Sequence, residues 1–540
     1  MKTNILYSCL ISVAALLGVS SCTDLKDTNY TNVVADGFQP TDEDVASLLS
    51  SAYVSWRKTM LLWNGVARAE MLCTDEDVIP ARPNGWVDGG VYKRMHQHKW
   101  TSEDDIPLQS WVRTYDGINA CNRVLYQIES GQIQLGTREK AVVSELKVLR
   151  ASYYYVLDDL FGNVPIITKF DVPEGYLPEQ STRKELYEFI VQELTENIPN
   201  LTEEVNSEYY GRFNKWAGYT LLAKMYLNSE VFSDGAHKDY DKCIEACNKV
   251  MECGKYSLES VRKNVFITHN ENSKEIIFAL PFDETYVTDW NAFDFHMYSL
   301  QPENQATYNF KATPWGGVCV IPQYIDTFDP DDQRLTDDFI AGPQYDKNGE
   351  ELLCTMGNMM GKPLVYVNKV NSIDDSDENQ GLRWGKFEYA EGITNRLSND
   401  FPLLRYADVY LMKAEALLRT GHAEAAVLVT QVRERDFNSN PAKAIVTGDQ
   451  LKGNSCYDYG RRDNTKTSHD NATIEYGRML DELGWEFSQE GRRRQDMIRF
   501  GVFATRSWFS HDASDNNKNL YPIPNSQILT NPKLKQNPGY

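Results

Sequence analysis

The chain lacks a long apolar run beyond its first residues. Its longest apolar stretch, Ile5 to Val19, is 15 residues, whereas a membrane-spanning helix needs about 20. No second run of this kind follows Cys22. We therefore expect an aqueous globular body after Cys22, and a chain that is 41% hydrophobic has enough apolar residues for a large core.

Basic residues are too few to balance the acidic ones. The chain has 55 Lys and Arg against 77 Asp and Glu, a formal charge of −22. Binding a nucleic acid requires a basic face that releases counterions from the phosphates, so we expect no nucleic-acid partner. A run of three arginines, Arg492 to Arg494, lies close to Glu486, Glu490 and Asp496. We interpret this run as part of a structural ion-pair cluster.

Cysteine and histidine do not form a recognisable metal or disulfide pattern. Two of the ten cysteines lie in or directly after the N-terminal apolar stretch, and the others are scattered. Cys243 and Cys247 form an i,i+4 pair without further ligands at zinc-like spacing, so we interpret them as buried apolar residues. His96 and His98 could share one face of a strand, but a third ligand is not evident, and we interpret them as part of a solvated loop. We expect no metal and no cofactor.

Common catalytic signatures are also missing. The sequence has no G-x-S-x-G, H-E-x-x-H or G-x-G-x-x-G motif. Gly357 to Lys362 approaches a phosphate-binding loop, but Pro363 stands where Ser or Thr should bind magnesium, so we expect a turn. A glycosidase needs only two carboxylates, and pairs such as Asp75 and Asp77 arise by chance among 77 acidic residues. We expect a protein that is not an enzyme.

The N-terminus has the pattern of a bacterial lipoprotein signal. Lys2 precedes the apolar stretch, and Val19-Ser20-Ser21 places small residues before Cys22. In a lipobox the cysteine thiol is acylated, and each buried CH₂ of an acyl chain contributes roughly 0.8 kcal/mol to membrane binding. We predict a signal peptide over 1–21, a lipidated tether over 22–36 and a folded domain over 37–540. An ordinary signal peptide is the alternative.

Apolar periodicity predicts a mainly α fold with one irregular region. Helical spacing of apolar residues occurs over about 37–62, 107–254 and 400–540. The period is lost over about 63–106 and 255–400, and loops of this length inside a compact chain are usually functional. Paired helices with small residues at their contacts are typical of tetratricopeptide-like stacking. We therefore predict a helical frame and an irregular binding lobe.

Seven segments match one known pattern in order along nearly the whole chain. They are the lipobox Cys22; Glu145 to Ala151 with Tyr155 and Leu160 to Pro165; Gly211 to Phe213 with Leu222 to Leu227; Glu275 to Phe278; Leu404 to Val409 with Ala414 to Ala416; Trp485 to Phe487 with Glu490 to Arg493 and Asp496; and Tyr521 to Pro524 with Gln536 to Tyr540. With these segments the chain resembles the SusD/RagB family of outer-membrane nutrient-binding lipoproteins of Bacteroidetes.

The resemblance implies both a fold and a role. The fold is a single α-helical domain with four tetratricopeptide-like helix pairs and an irregular, ligand-binding lobe. The role is to capture an oligo- or polysaccharide at the cell surface and deliver it to a SusC-type TonB-dependent outer-membrane barrel. Peptide or glycopeptide capture and a non-binding helical-repeat scaffold remain as alternatives. The charges of Arg405 to Asp408 are expected to cap or pair within the frame.

Aromatic residues of the irregular lobe are the candidate glycan-binding groups, because flat rings stack on the C–H faces of sugars. In a starch-binding member of the family, an aromatic arc uses a tryptophan after a Thr-Asp-Glu segment and another before a mid-chain helix. Here Thr74-Asp75-Glu76 precedes Trp86, and Trp315 precedes a helix expected over 318–328; the spacing after Thr74 differs, so starch itself is not implied. Packing in the core is the alternative role for each ring. Further candidates are Trp290, Tyr298, Arg383 and Trp384, with Asp75, Asp77, Arg82 and Asn84 as polar partners.

Overall fold

A computed structural model describes residues 41–83, 87–463 and 468–540. The predicted signal peptide, the acylated Cys22 and the tether lie outside these residues, and so do Asn84 and Trp86. Within the described residues, no helix combines the length and the apolar character needed to cross a membrane. Helices dominate and the strands are short, which confirms the mainly α prediction.

Eight helices of the described chain form the frame, and each packs against the next. This arrangement agrees with four tetratricopeptide-like pairs. The eight helices are Asp42–Leu61, Asp105–Glu129, Glu139–Leu160, Arg183–Asn197, Lys215–Leu227, Tyr240–Glu252, Tyr406–Arg419 and Ala425–Arg433.

The other α-helices in the described part of the chain are mostly shorter and connect or cover this frame. They are Val66–Met71, Val91–His96, Ser229–Phe232, Phe295–Ser299, Gln305–Tyr308, Pro322–Ile325, Arg334–Asp337, Gly448–Lys452, Gly477–Phe487, Arg493–Arg499 and Asn525–Thr530.

Local sequence explains where the frame helices begin and how closely they pack. Thr41 and Asp44 form a capping box, in which each side chain accepts a hydrogen bond from the other residue's backbone N–H at 2.9 to 3.2 Å. Gly117 lets the Asp105–Glu129 helix approach Tyr153, whose ring would lie 2.4 Å from an added Cβ atom. The Tyr153 hydroxyl then donates to the Ala52 carbonyl oxygen at 2.6 Å. One small residue thus allows three helices to meet.

In the residues that the structure describes, four two-stranded antiparallel sheets pair segments of the irregular region with each other or with Phe401–Arg405. The longest strands are Ile276–Leu280 and its partner Phe401–Arg405. The helix expected over 318–328 is reduced to Pro322–Ile325, because Cys319–Val320 pairs as a strand. The pairs are Asp77–Val78 with Cys319–Val320, Ile276–Leu280 with Phe401–Arg405, Phe339–Ile340 with Arg383–Trp384, and Gly342–Pro343 with Val365–Tyr366.

Buried ion pairs hold the C-terminal helices to the rest of the domain. Arg405 donates to Glu275, Glu486 and Glu490 at 2.7 Å. Burial alone would raise the pKa of Glu486, but the guanidinium groups of Arg435 and Arg405 hold that pKa well below its usual range. The prediction that Arg405 pairs within the frame is therefore confirmed.

The arginine run at 492–494 is also a structural ion-pair cluster, as expected. Arg492 pairs with Asp496, whereas Arg493 pairs with Asp75 and Arg494 with Glu70. The expected partners Glu486 and Glu490 are instead taken by Arg405. Arg492 thus pairs with a carboxylate near it in the sequence, whereas Arg493 and Arg494 pair with carboxylates more than 400 positions away.

His96 and His98 are buried, so the prediction of a solvated loop is wrong. The His98 ring stacks on Phe503 with 4.1 Å between ring centroids. Burial lowers the pKa of His96 to about 4 and that of His98 to about 3, so both imidazoles are neutral at pH 7. Across the described ranges, no group of three or more His, Cys, Asp or Glu residues is arranged to hold a metal ion.

The interpretation of Cys243 and Cys247 as buried residues is confirmed, and both are free thiols.

The segment Gly357 to Lys362 begins with a single helical turn and has positive φ angles at Gly357 and Gly361, which confirms a turn.

Candidate functional site

Tyr298, Arg383 and Trp384 are buried, which contradicts their predicted contact with a sugar. Trp384 is 1% exposed and Tyr298 is 1% exposed, while Arg383 has no exposed surface. Arg383 and Trp384 form a strand paired with Phe339–Ile340, so neighbouring chain covers both residues. A buried ring face cannot stack on a ligand.

The acidic candidates Asp75 and Asp77 are buried as well. Asp75 accepts hydrogen bonds from Arg493 at 2.8 and 2.9 Å and from the Tyr459 hydroxyl at 2.6 Å. Asp77 accepts one from the Trp384 indole N–H at 2.8 Å, and burial raises the pKa of Asp77 to about 7. Their hydrogen-bonding capacity is used inside the protein, so the prediction that they bind a sugar directly is wrong.

Arg82 is buried too, but it contacts the loop that carries Trp315. Its guanidinium donates to the carbonyl oxygens of Gly316 at 3.1 Å, Gly317 at 2.5 Å and Gln380 at 2.9 Å. Burial lowers its pKa to about 10, so Arg82 stays charged at neutral pH. Arg82 therefore stabilises this loop through the carbonyl oxygens of Gly316 and Gly317. Because Arg82 is buried, the prediction that it is a polar partner of the sugar is wrong.

Three tryptophans, Trp63, Trp290 and Trp315, meet in one cluster, here called the tryptophan cup. The ring centroids lie 6.1 Å apart for Trp63 and Trp290, 5.8 Å for Trp63 and Trp315, and 6.4 Å for Trp290 and Trp315. The corresponding interplanar angles are 47°, 80° and 34°. Trp290 is 67% exposed and the other two rings are partly exposed. The structure thus brings two predicted rings together at the surface.

Trp63 was not among the predicted residues. It follows the Asp42–Leu61 helix and precedes Asn64-Gly65, where Asn64 has a positive φ of 56° and a Cβ at Gly65 would lie 2.7 Å from the Thr59 carbonyl oxygen. Trp86 has the same neighbours, Asn84 and Gly85, and Asn-Gly favours a turn at the surface. The sequence therefore contained a signal for an exposed Trp63, but this residue directly follows the segment with helical spacing, about 37–62, and was not selected.

Backbone hydrogen bonds fix the Trp315 loop on the Phe295–Ser299 helix. The N–H groups of Trp315, Gly316 and Gly317 donate to the carbonyl oxygens of Met297, Leu300 and Tyr298 at 2.8, 2.8 and 3.0 Å. Gly316 has a φ of +68°, and an added Cβ would lie 2.3 Å from the Gln301 side-chain oxygen. The loop therefore requires glycine at this position.

Two family models match the sequence. Residues 30–227 match a model described as "Starch-binding associating with outer membrane", and residues 274–540 match the model of the SusD family. Together they span most of the chain. The chain belongs to the SusD/RagB family.

Curated relatives agree with this assignment. The chain is 25% identical over 505 residues to the starch-binding protein SusD of Bacteroides thetaiotaomicron, covering 84% of this chain and 82% of that protein. It is 21% identical over 561 residues to SusD-like protein P38 of Formosa agariphila, covering 99% of both.

Among solved structures, a SusD superfamily protein of Parabacteroides distasonis matches with a TM-score of 0.72 at 19% identity, covering 93% of this chain and 100% of that one. Surface glycan-binding protein A of B. thetaiotaomicron, solved with laminarihexaose, matches with a TM-score of 0.66 at 19% identity, covering 92% and 100%. At these identities the structures establish the fold.

Proposed function

We propose that this protein binds an oligo- or polysaccharide at the cell surface and delivers it to a SusC-type TonB-dependent outer-membrane transporter. The observation that carries the proposal is the tryptophan cup, in which Trp290 is 67% exposed while touching Trp63 and Trp315. Exposing an indole to water is unfavourable unless a ligand covers it. An exposed cluster of such rings therefore supports a binding surface.

The geometry of the cup favours a compact, bent section of a glycan. Its three ring centres lie within 6.4 Å of one another and their planes differ by 34° to 80°. Rings in this arrangement can contact one or two sugar units from different sides, whereas a flat row of rings would contact an extended glycan chain. Each contact contributes on the order of 1 kcal/mol, by analogy with aromatic pairs, which suits a site that must release its cargo to a transporter.

The names of the relatives support a carbohydrate ligand. One curated relative is a starch-binding protein, and two structural neighbours are described as a laminarin-binding SusD-like protein and a glycan-binding protein solved with laminarihexaose. These ligands differ from one another, so the family alone does not select one sugar. We propose binding without catalysis, in agreement with the missing catalytic motifs.

The proposed location is the outer membrane, with a lipid anchor at Cys22. The lipobox pattern and the family description "associating with outer membrane" support this location. Delivery to a SusC-type barrel is an inference from the family.

The exposed tryptophans favour binding over the alternative of a non-binding scaffold. A helical-repeat scaffold has no need for an indole as exposed as Trp290. Peptide or glycopeptide capture remains the competing binding function, and it is tested together with the glycan hypothesis.

The test is affinity electrophoresis of the mature chain across a panel of polysaccharides, with calorimetric titration of oligosaccharides and of mixed peptides. We compare wild type, Trp290→Ala and the control Tyr176→Ala, which removes a ring that is 49% exposed in another part of the sequence. We expect at least one polysaccharide to retard wild type and Tyr176→Ala but not Trp290→Ala. Equal retardation of all three would exclude the cup as the site, and binding of peptides alone would replace the glycan hypothesis.

A further inference from the structure

We infer that the ion pair between Arg68 and Asp294 sets the angle of Trp63 relative to Trp290 and Trp315, which makes Arg68 a positioning residue for the tryptophan cup. This inference rests on the proposed function for its ligand. The three tryptophans come from two parts of the chain separated by more than 200 residues. A contact between these two parts must fix their relative orientation, and the Arg68–Asp294 pair is such a contact.

Arg68 lies directly behind the cup. Its guanidinium carbon is 4.7 Å from the centroid of the Trp63 ring and 4.4 Å from that of the buried Tyr298 ring. The planar cation therefore contacts both rings, and Trp63 and Tyr298 themselves meet edge to face at 85° with 6.0 Å between centroids. A guanidinium in this position favours one ring orientation through cation–π attraction.

Asp294 connects this cation to the other two tryptophans. Its two carboxylate oxygens accept hydrogen bonds from Arg68 Nη2 at 2.7 and 2.9 Å. Asp294 stands four residues after Trp290 and directly before the Phe295–Ser299 helix, whose carbonyl groups hold the Trp315 loop. One ion pair thus links the segment that carries Trp63 to the segment that carries Trp290 and holds the Trp315 loop.

Stability alone does not explain a charged pair at this place. Both side chains are removed from water, and the cost of desolvating two charges often equals or exceeds their attraction, so an apolar replacement can be equally stable. What an apolar pair cannot supply is a directional link between two loops and a flat cation behind Trp63. The directional contact accounts for retaining charge behind an exposed binding surface.

A second ion pair provides a matched control. Arg183 Nε donates to Asp158 Oδ1 at 2.9 Å, and the side chains are 6% and 0% exposed, against 5% and 0% for Arg68 and Asp294. The Arg183 guanidinium also lies over an aromatic ring, that of Phe232, at 5.4 Å. This pair joins the Glu139–Leu160 and Arg183–Asn197 helices. It therefore has similar burial and chemistry without contact to the tryptophan cup.

The experiment compares the double variant Arg68→Met, Asp294→Asn with the double variant Arg183→Met, Asp158→Asn. Melting temperature reports stability, calorimetric titration with the polysaccharide or oligosaccharide found to bind wild type reports affinity, and near-ultraviolet circular dichroism reports the mutual angles of the indoles. We expect similar losses of melting temperature in both double variants. Only the first should lose about tenfold or more in affinity and also change the indole dichroism.

The conservative variant Arg68→Lys separates orientation from charge if the first double variant does not fold. It keeps a cation that can reach Asp294 but loses the planar guanidinium against Trp63. We expect it to fold with a changed indole dichroism and reduced affinity.

Wild-type dichroism and affinity in either Arg68 variant would overturn the inference, and so would equal losses of affinity in the Arg183 variant. If wild type binds no polysaccharide, the proposed function fails, whereas the dichroism still decides whether Arg68 orients Trp63.

Discussion

The indole N–H of Trp384 donates a 2.8 Å hydrogen bond to Asp77, and both side chains are buried. This contact joins residues 307 positions apart in the sequence. The sequence pattern assigned both side chains to ligand binding, but their burial keeps them from a ligand. The candidate site is therefore the tryptophan cup, where Trp290 is exposed and Trp63 and Trp315 are partly exposed.

Asp77 should make folding stability depend on pH. Burial raises its pKa to about 7 from an ordinary value of 3.8, so between these values the folded state holds a proton that the unfolded state has lost. Stability from this group therefore falls as pH rises from about 4 to 7. We expect the free energy of unfolding of Asp77→Asn, relative to wild type, to increase over that range in denaturant titrations. A difference that does not change with pH would contradict the raised pKa.

Gly316→Ala should weaken ligand binding by displacing the Trp315 loop. The added Cβ would lie 2.3 Å from the Gln301 side chain, and the positive φ adds strain of about 1–2 kcal/mol. Gly349→Ala is the control, because Gly349 has a φ of +87° with no atom within 4 Å of an added Cβ. We expect both variants to lose some stability and only Gly316→Ala to lose affinity in calorimetric titration. Equal affinity in the two variants would show that the loop does not position the ligand-binding ring.

Trp63→Ala should reduce glycan affinity by roughly 1–3 kcal/mol, the range for truncating a well-placed aromatic anchor. Trp63 is partly exposed, so its removal should cost less stability than Trp384→Ala, where the ring is buried and a loss of about 3–5 kcal/mol is usual. Calorimetric titration and thermal melting of both variants test the contrast. A large stability loss with unchanged affinity in Trp63→Ala would place Trp63 in the core rather than the site.

Trp86 remains a predicted stacking platform and lies outside the described residues. Its neighbours Asn84, Gly85, Asp88 and Gly89 favour exposure. We expect Trp86→Ala to weaken glycan binding by roughly 1–3 kcal/mol with little change in melting temperature. A markedly lower melting temperature with normal binding by the folded fraction would identify Trp86 as a core residue.

Cys22 should carry the lipid anchor. In cells fed a fatty-acid analogue, we expect label on wild type and none on Cys22→Ala, because acylation of the cysteine thiol defines a lipobox. Equal labelling of the two proteins would remove the basis for membrane attachment at this residue.

Short-range patterns were enough to predict the frame. The apolar period that predicted helices over 107–254 depends on residues three and four positions apart, and such neighbours meet in any helix whatever surrounds it. The i,i+4 pair Cys243 and Cys247 could be placed on one helix for the same reason. The ordered motifs along the chain also indicated the family.

Whether each aromatic ring is exposed was decided only by the tertiary structure. Trp290 and Trp384 both lie in segments without a helical period, yet the first is 67% exposed and the second 1%. Trp384 is covered because its strand pairs with Phe339–Ile340 and its indole reaches Asp77. Trp63 joins the cup because a turn at Asn64-Gly65 brings it to rings more than 200 residues away. The sequence by itself determined the helices and the kinds of residue available for binding, whereas long-range contacts determined which rings a ligand can reach, because burial depends on partners that local spacing does not specify.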